Sequence, residues 1–485
     1  MNQRITALFI ALGIIVGAGG MYVGIDLLEE DKKVEAEAIP ANGNVFNVED
    51  EATDIAGFEK FKQALELIST RYVEDVDEEE LLEGAIQGML STLDDPYSVY
   101  MDKDTAKQFS QALDSSFEGI GAEVGVKSGK VTIVAPFKGS PAEKAGLQPN
   151  DQIVGIDGKN VEGLDLHETV LKIRGKKGTK VAIEVVRSNS REKLTFDVVR
   201  DEIPLETVIG STKEYKDKKV GYIQITSFSE NTAKDFAHTL KKLEKDEIQG
   251  LVLDVRGNPG GYLQSVEEIL KQFVTKEQPY IQIEERNGDK KRYFSKLTKK
   301  KDYPVTVLID KGSASASEIL AGALKEASGY DIVGVTSFGK GTVQQAVPMG
   351  DGSNIKLTLY KWLTPEGNWI HKKGVEPTIT VEQPEVFQTS PIQLEKSLEP
   401  DMNNEKIKAV QVILKGLGYE PGREDGYFNK ETEIAVKTFQ QENKLPISGK
   451  IDLKTADTLN QKMNDLKEKE ENDQQLKMGI KALFD

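Results

Sequence analysis

The chain has 485 residues, 38% hydrophobic and 29% charged, with 43 Gly and 17 Pro, which describes a folded protein of several domains and excludes one small module or a collagen-like chain. A net charge of −17, from 63 Lys and Arg against 80 Asp and Glu, repels polyanions, so nucleic-acid binding is excluded as the main task. With no Cys, disulfides, thiol nucleophiles, Cys-based zinc sites and iron–sulfur clusters are excluded as well, which leaves His167, His238 and His371 as the imidazoles of the chain.

Residues 5–25 carry no charge and, as a helix rising about 1.5 Å per residue, would reach roughly 31 Å, the depth of a bilayer core. Arg4 precedes the run and Asp26, Glu29, Glu30 and Asp31 follow it, so the N-terminus stays in the cytoplasm and the remainder is exported. Residues 1–28 fit either a signal anchor or a signal peptide cleaved near Ala18, Gly19 and Gly20. The expected location is therefore the cell membrane, single-pass with the bulk of the chain extracytoplasmic, or secretion after cleavage.

An acidic linker follows over 29–54. Phe58, Phe61, Leu65 and Ile68, then Leu82, Ala85, Ile86 and Met89, recur at helical spacing and define a helical region over 55–111. Its apolar faces need a partner, within the chain or on a second copy. Short Val- and Ile-rich strands with one helix near 165–174 make a β-rich module over 112–200, and alternating strand and helix patterns over 201–383 make an α/β domain. Within it Lys290, Lys291 and Arg292, and Lys299 to Lys301, are expected to be solvated loop, given Glu284, Glu285, Asp289 and Asp302 nearby. A second linker is expected over 384–403, a small helical domain over 404–460 and a frayed tail over 461–485. The fold class is multidomain α/β.

Three segments of the α/β domain carry chemistry. Ser313, Ser315 and Ser317 lie between the strand pattern 305–310 and the helix pattern 319–327, where helix N-terminal amides favour developing negative charge. Any of them also serves as a helix cap, so a base is needed to make one a nucleophile. Lys340 follows the strand pattern 332–335 between Gly339 and Gly341; burial disfavours the ammonium and yields a neutral amine able to take the serine proton. Gly334, Gly339 and Lys340 also imitate a phosphate-binding loop, but Gly341 stands where Ser or Thr must hold magnesium, so nucleotide binding is set aside. Asp254 to Gly261 ends in Pro259-Gly260-Gly261, glycines able to present backbone N–H groups to an oxyanion.

In this order the three segments resemble the carboxy-terminal processing (tail-specific) peptidases, serine enzymes of the S41 family, over about residues 58–383. The resemblance implies Ser315 as nucleophile, Lys340 as general base, Gln344 as the residue orienting the lysine, and the Gly261 and Ala316 amides as oxyanion donors. Residues 139–147 and 151–154 resemble a PDZ domain, which implies a carboxylate-binding loop at Gly119, Ile120, Gly121 and Ala122 and an apolar pocket beside Val170 and Leu171. Arg174, at the end of that helix, senses substrate charge, contacts the protease core or is a plain surface arginine. Residues 404–459 resemble the three-helix peptidoglycan-binding domain, with Ile434 and Phe439 expected in its core and Asp425 and Tyr427 as candidate wall contacts.

These resemblances imply an extracytoplasmic serine endopeptidase with a Ser-Lys dyad and no metal or organic cofactor. Its expected partners are proteins or peptides with free C-termini, peptidoglycan, the cytoplasmic membrane and a second copy of the chain, with no nucleic acid. The rival class is a non-catalytic PDZ scaffold linking membrane to wall, which loss of Ser315 or Lys340 would mark. A Ser-His-Asp hydrolase would need one of the three histidines beside Ser315.

Overall fold

Strand and helix patterns over 201–383 predict a sheet with covering helices, and the structure, a computed structural model, builds it around central strands whose side chains are buried on both faces. It describes residues 57–113, 116–127, 130–164, 166–187, 193–394 and 396–485. The membrane segment expected in 1–28 and the acidic linker lie outside the described residues; among those described, no helix is long and apolar enough to cross a membrane.

The strands Val208–Tyr215, Lys218–Ile225, Gly250–Asp254, Val305–Ile309 and Asp331–Gly334 lie side by side in that order. The first two are antiparallel; the other neighbours are parallel. Gly250–Asp254 and Val305–Ile309 are buried throughout, as parallel strands covered on both faces must be. Phe236 and Leu240 of helix Thr232–Lys245, Val266 and Ile269 of Leu263–Leu270, and Leu320 and Leu324 of Ala316–Glu326 share one core with the sheet. The segments 254–261, 310–318 and 335–344 leave the carboxyl ends of three adjacent parallel strands, where open α/β sheets bind ligands.

A second sheet contains Thr342–Pro348, Asn354–Leu363, Pro279–Glu284, Lys290–Phe294 and Val99–Met101. Two expectations change here. The basic run at 290–292 is strand, paired antiparallel with Pro279–Glu284, and its charge masks an alternation that buries Tyr293. The 55–111 region is not wholly helical, because Val99–Met101 pairs with residues 354–356. Helices Phe58–Arg71 and Glu78–Ser91 form as expected but bury none of their residues.

In the β-rich module the strand order is Ala122–Lys127, Lys130–Pro136, Gln152–Ile156, Lys180–Val186 and Lys193–Val199, with helix Leu166–Ile173 beside the first, an edge strand. Ile133, Ile153, Val181, Ile183 and Val185 fill its core.

The C-terminal module has helices Glu405–Gly416, Lys430–Glu442, Leu453–Lys467 and Gln474–Ala482, capped by Asn404, Asn429, Asp452 and Asp473. It contains an internal repeat. Gln411 accepts from Gly426 N and donates to Thr432 Oγ1, and Gln440 accepts from Gly449 N and donates to Thr455 Oγ1, so each buried amide locks the loop that follows it. The linker expected at 384–403 is part of this module, since Val386, Ile392 and Leu398 are buried in its core. The tail expected over 461–485 is likewise ordered: Leu476, Ile480 and Leu483, spaced for one helix face, are buried. Ile434, expected in the core, is 55% exposed, because the buried face runs through Thr432, Ala435, Val436, Phe439 and Gln440.

Candidate active site

Between strand Val305–Ile309 and helix Ala316–Glu326 the chain makes a tight turn with Ser315 as its N-cap residue, at φ 53° and ψ −113°. A non-glycine residue held there costs on the order of 1–3 kcal/mol and persists only where its surroundings enforce it. The enforcement is visible. Ser315 N donates to Glu318 Oε2 at 2.9 Å, and a Cβ on Gly260 would stand 2.8 Å from Ser315 Cβ and 2.9 Å from Ala314 O, so the turn 259–261 presses directly on the serine. The neighbouring serines have other work: Ser313 Oγ donates to Val255 O and Ser317 Oγ to Asn258 O, both at 2.8 Å, fastening the serine turn to the 254–261 loop. Ser315 alone of the three is half-exposed.

Asn258, fully buried, organises that loop. Its side chain donates to Ile225 O and accepts from Gly260 N, both at 2.8 Å, and its carbonyl accepts from Ala314 N at 3.0 Å. The Gly260 amide is thereby spent, whereas among the described residues no hydrogen bond engages the Gly261 or Ala316 amides. Gly261 stays glycine for a steric reason, since a Cβ would lie 2.2 Å from Phe228 O.

The third segment is held by the same acid as the first. Glu318 Oε1 accepts from Ser337 Oγ and Gly339 N, each at 2.6 Å, and Oε2 accepts from Lys340 N at 2.8 Å as well as from Ser315 N. The serine and lysine backbones thus meet on one carboxylate oxygen. Burial pushes the Glu318 carboxyl above its ordinary range, opposed by these donors. Both tryptophans of the chain brace the lysine loop from outside, Trp362 Nε1 donating to Lys340 O and Trp369 Nε1 to Gly341 O, each at 2.8 Å.

Lys340 is 2% exposed, and burial, with the neighbouring Lys356 ammonium, brings its amine down to about 7 against the pull of Glu318 and Asp95. Its Nζ lies 4.9 Å from the centre of the Tyr97 ring. Gln344 is buried on the adjacent strand, and its amide nitrogen donates to Thr342 Oγ1 at 2.9 Å and Thr358 Oγ1 at 3.0 Å, directing the carbonyl oxygen away from both. His371 is close by but engaged: Nδ1 accepts from Gly341 N at 3.4 Å and the ring stacks on Trp369 at 5.1 Å. His238 is exposed on its helix. Sequence patterns missed Glu318, Asn258 and Tyr97; Glu318, three residues after Ser315, carried a capping-box signal that could have found it.

In the β-rich module Gly121 has φ 71°, and a Cβ there would meet Ser140 Cβ at 2.6 Å. The Ile120 and Gly121 carbonyls accept from Ala142 N at 2.8 Å and Phe137 N at 2.9 Å, which fixes the loop from Gly119 to Ala122 at the start of the edge strand. Val170 is half-buried and Leu171 exposed on the helix beside that strand, and Arg174 lies over the Phe117 ring at 5.1 Å, within the same module. In the C-terminal module Asp425 is paired to Arg423, which holds its carboxyl at about 2, and Tyr427 donates to Asp401 at 2.9 Å beneath the Arg423 guanidinium.

Residues 219–381 match the family model described as peptidase family S41, 132–187 a PDZ domain, 403–459 a peptidoglycan binding domain and 14–105 the N-terminal domain of the activating protease CtpB. The chain is 64% identical over 484 residues to the carboxy-terminal processing protease CtpB of Bacillus subtilis, covering 100% of both. It is 41% identical to carboxy-terminal processing protease CtpA of the same organism, over 92% of this chain and 94% of that one. A photosystem II D1 C-terminal processing protease is a solved structure with 28% identity, covering 67% of this chain and 88% of that one at a TM-score of 0.42.

Proposed function

We propose that this chain, which belongs to peptidase family S41 and to its carboxy-terminal processing proteases, cuts exported proteins recognised through their C-termini with Ser315 as nucleophile and Lys340 as general base. The observation that carries the assignment is the Glu318 carboxylate, which ties the backbones of a half-exposed serine and a buried lysine, its amine brought down to about 7, to one oxygen. Ser315 Oγ attacks the scissile carbonyl while Lys340 takes its proton; the carbonyl oxygen, now negative, is received by the Gly261 and Ala316 amides. Lys340 returns the proton to the leaving amine, and water repeats the sequence on the acyl-enzyme. The Gln344 carbonyl oxygen orients the amine.

The PDZ loop Gly119 to Ala122 receives the substrate carboxylate while the peptide adds to the edge strand Ala122–Lys127, with Val170 and Leu171 beside the last side chain. The C-terminal module holds the enzyme to peptidoglycan through Asp425 and Tyr427, and residues 1–28 tether or export it.

The test uses a fluorogenic peptide with a free apolar C-terminus. Ser315→Ala, Lys340→Ala and Lys340→Arg should each lower kcat by roughly 10³-fold or more in folded protein, the last because a guanidinium stays charged. A folded, active Lys340→Ala enzyme together with an inactive His371→Ala enzyme would transfer the base to histidine.

A further inference from the structure

The turn Asp95-Pro96-Tyr97-Ser98 belongs to none of the catalytic motifs, yet it is built into the lysine's surroundings. Strand Val99–Met101 leads from it into the second sheet, with Val99 opposite Lys356. Asp95 shapes the turn by accepting from Tyr97 N at 3.1 Å and Ser98 Oγ at 2.6 Å. Ser98 Oγ in turn accepts from Thr358 N at 3.0 Å, and the Thr358 hydroxyl is one of the two that receive Gln344. The Tyr97 ring therefore occupies a fixed place, half-buried, with Lys340 Nζ 4.9 Å from its centre and the centre of the His371 ring, steeply inclined to it, at 6.4 Å. The charged groups acting on the lysine are Glu318 and Asp95, which favour its ammonium, and Lys356, itself buried over Phe109, which disfavours it.

We propose that Tyr97 is a positioning residue of the hydrolysis, its ring face receiving the ammonium that forms when Lys340 takes the Ser315 proton. This rests on the dyad assigned above. In that step the Ser315 O–H bond breaks and an N–H bond forms on Lys340, while Ser315 Oγ bonds to the substrate carbon and the carbonyl π bond opens onto its oxygen; nothing is oxidised or reduced. Positive charge thus appears on a nitrogen almost without water, where the negative face of an aromatic ring attracts it most strongly. A ring fixed by Asp95 and Ser98 before the reaction needs no reorganisation when the charge arrives.

In the full chain with the fluorogenic peptide, Tyr97→Leu, which keeps the site dry and removes the ring face, should lower kcat about 10-fold with KM little changed. It should also move the acid limb of the kcat profile to lower pH, because the ammonium loses an attraction while the amine does not. Tyr97→Phe should recover most of the lost rate. A residue that merely fills space would leave that limb in place, so Tyr97→Leu with unchanged kcat and an unmoved limb, in an enzyme that Lys340→Ala inactivates, overturns the proposal. An active Lys340→Ala enzyme overturns the dyad and this role with it. Should Tyr97→Leu not fold, phenylalanines of increasing fluorination at position 97 weaken the ring face without changing its shape. The rate should then fall with each fluorine, and a flat series overturns the proposal.

Discussion

Lys340 is costly to bury, and the cost has a direction in pH. Its ammonium ordinarily persists to 10.5 but gives way at about 7 in the fold, so between those values the unfolded chain binds more protons and stability rises with pH. Below pH 7 the whole penalty stands, on the order of 5 kcal/mol. Lys340→Met should therefore raise the melting temperature while losing activity, most at pH 6 and progressively less toward pH 10; an equal or lower melting temperature at pH 6 would contradict the burial. With the neutral amine as the proposed base, activity has the matching sign: kcat/KM should climb through about pH 7, and a limb near 10 would contradict that role. Gly260→Ala is the steric counterpart. The added methyl meets Ser315 Cβ at 2.8 Å, so the strained serine must move, and kcat should drop 100-fold or more by analogy with losing an oxyanion donor (~10²-fold).

At the scale of elements, three strand-end loops converge because their strands are neighbours in a parallel sheet; Glu318 on the first helical turn joins the serine turn to the lysine loop, and Ser313, Ser317 and Asn258 join it to the 254–261 loop. The edge strand Ala122–Lys127 has a different role. It pairs on one side with Lys130–Pro136, and the Gly119 to Ala122 loop begins it. If that loop reads a carboxylate, a peptide with a free apolar C-terminus should be cut with a kcat/KM about 10-fold above its C-terminal amide, because amidation removes the charge the amides receive. Equal cleavage of the two forms would take carboxylate reading away from this module. Element boundaries were readable where burial on one face imposed a period. They were misread at Lys290–Phe294, where charge hid a period of two, and at Ile434, where helix phase, not hydrophobicity, decides exposure.

For the whole molecule, the C-terminal module's core begins well before the expected boundary at 404, since Val386, Ile392 and Leu398 are buried in it. A deletion from Asn404 should strand these apolar side chains and yield an aggregating protein. A deletion from Gln383 should leave peptide hydrolysis largely intact and lower retention on purified cell wall. Equal wall binding by the Gln383 truncation would withdraw the wall assignment. At the other end, Leu67 and Met89 are 62% and 64% exposed on helices that bury nothing among the described residues. A second copy covering these faces would make the full chain a dimer, and Leu67→Lys with Met89→Lys should convert it to monomer in sedimentation; a wild-type monomer removes that partner.

What the sequence by itself determined was what local chemistry dictates: a serine at a helix start, a lysine among glycines, a glycine pair after a strand, their order along the chain, and with it the family. Helix and strand periods supplied the architecture for the same reason, since a buried face recurs every 3.6 or every 2 residues. Only the tertiary structure decided which serine is spared, because Ser313 and Ser317 differ from Ser315 through Val255 and Asn258, about 60 residues away in sequence. It committed the Gly260 amide to Asn258, and it brought Glu318 and Tyr97 to the lysine. Burial, hydrogen-bond commitment and pKa belong to neighbours in space, and a chain folded through a parallel sheet draws those neighbours from distant segments.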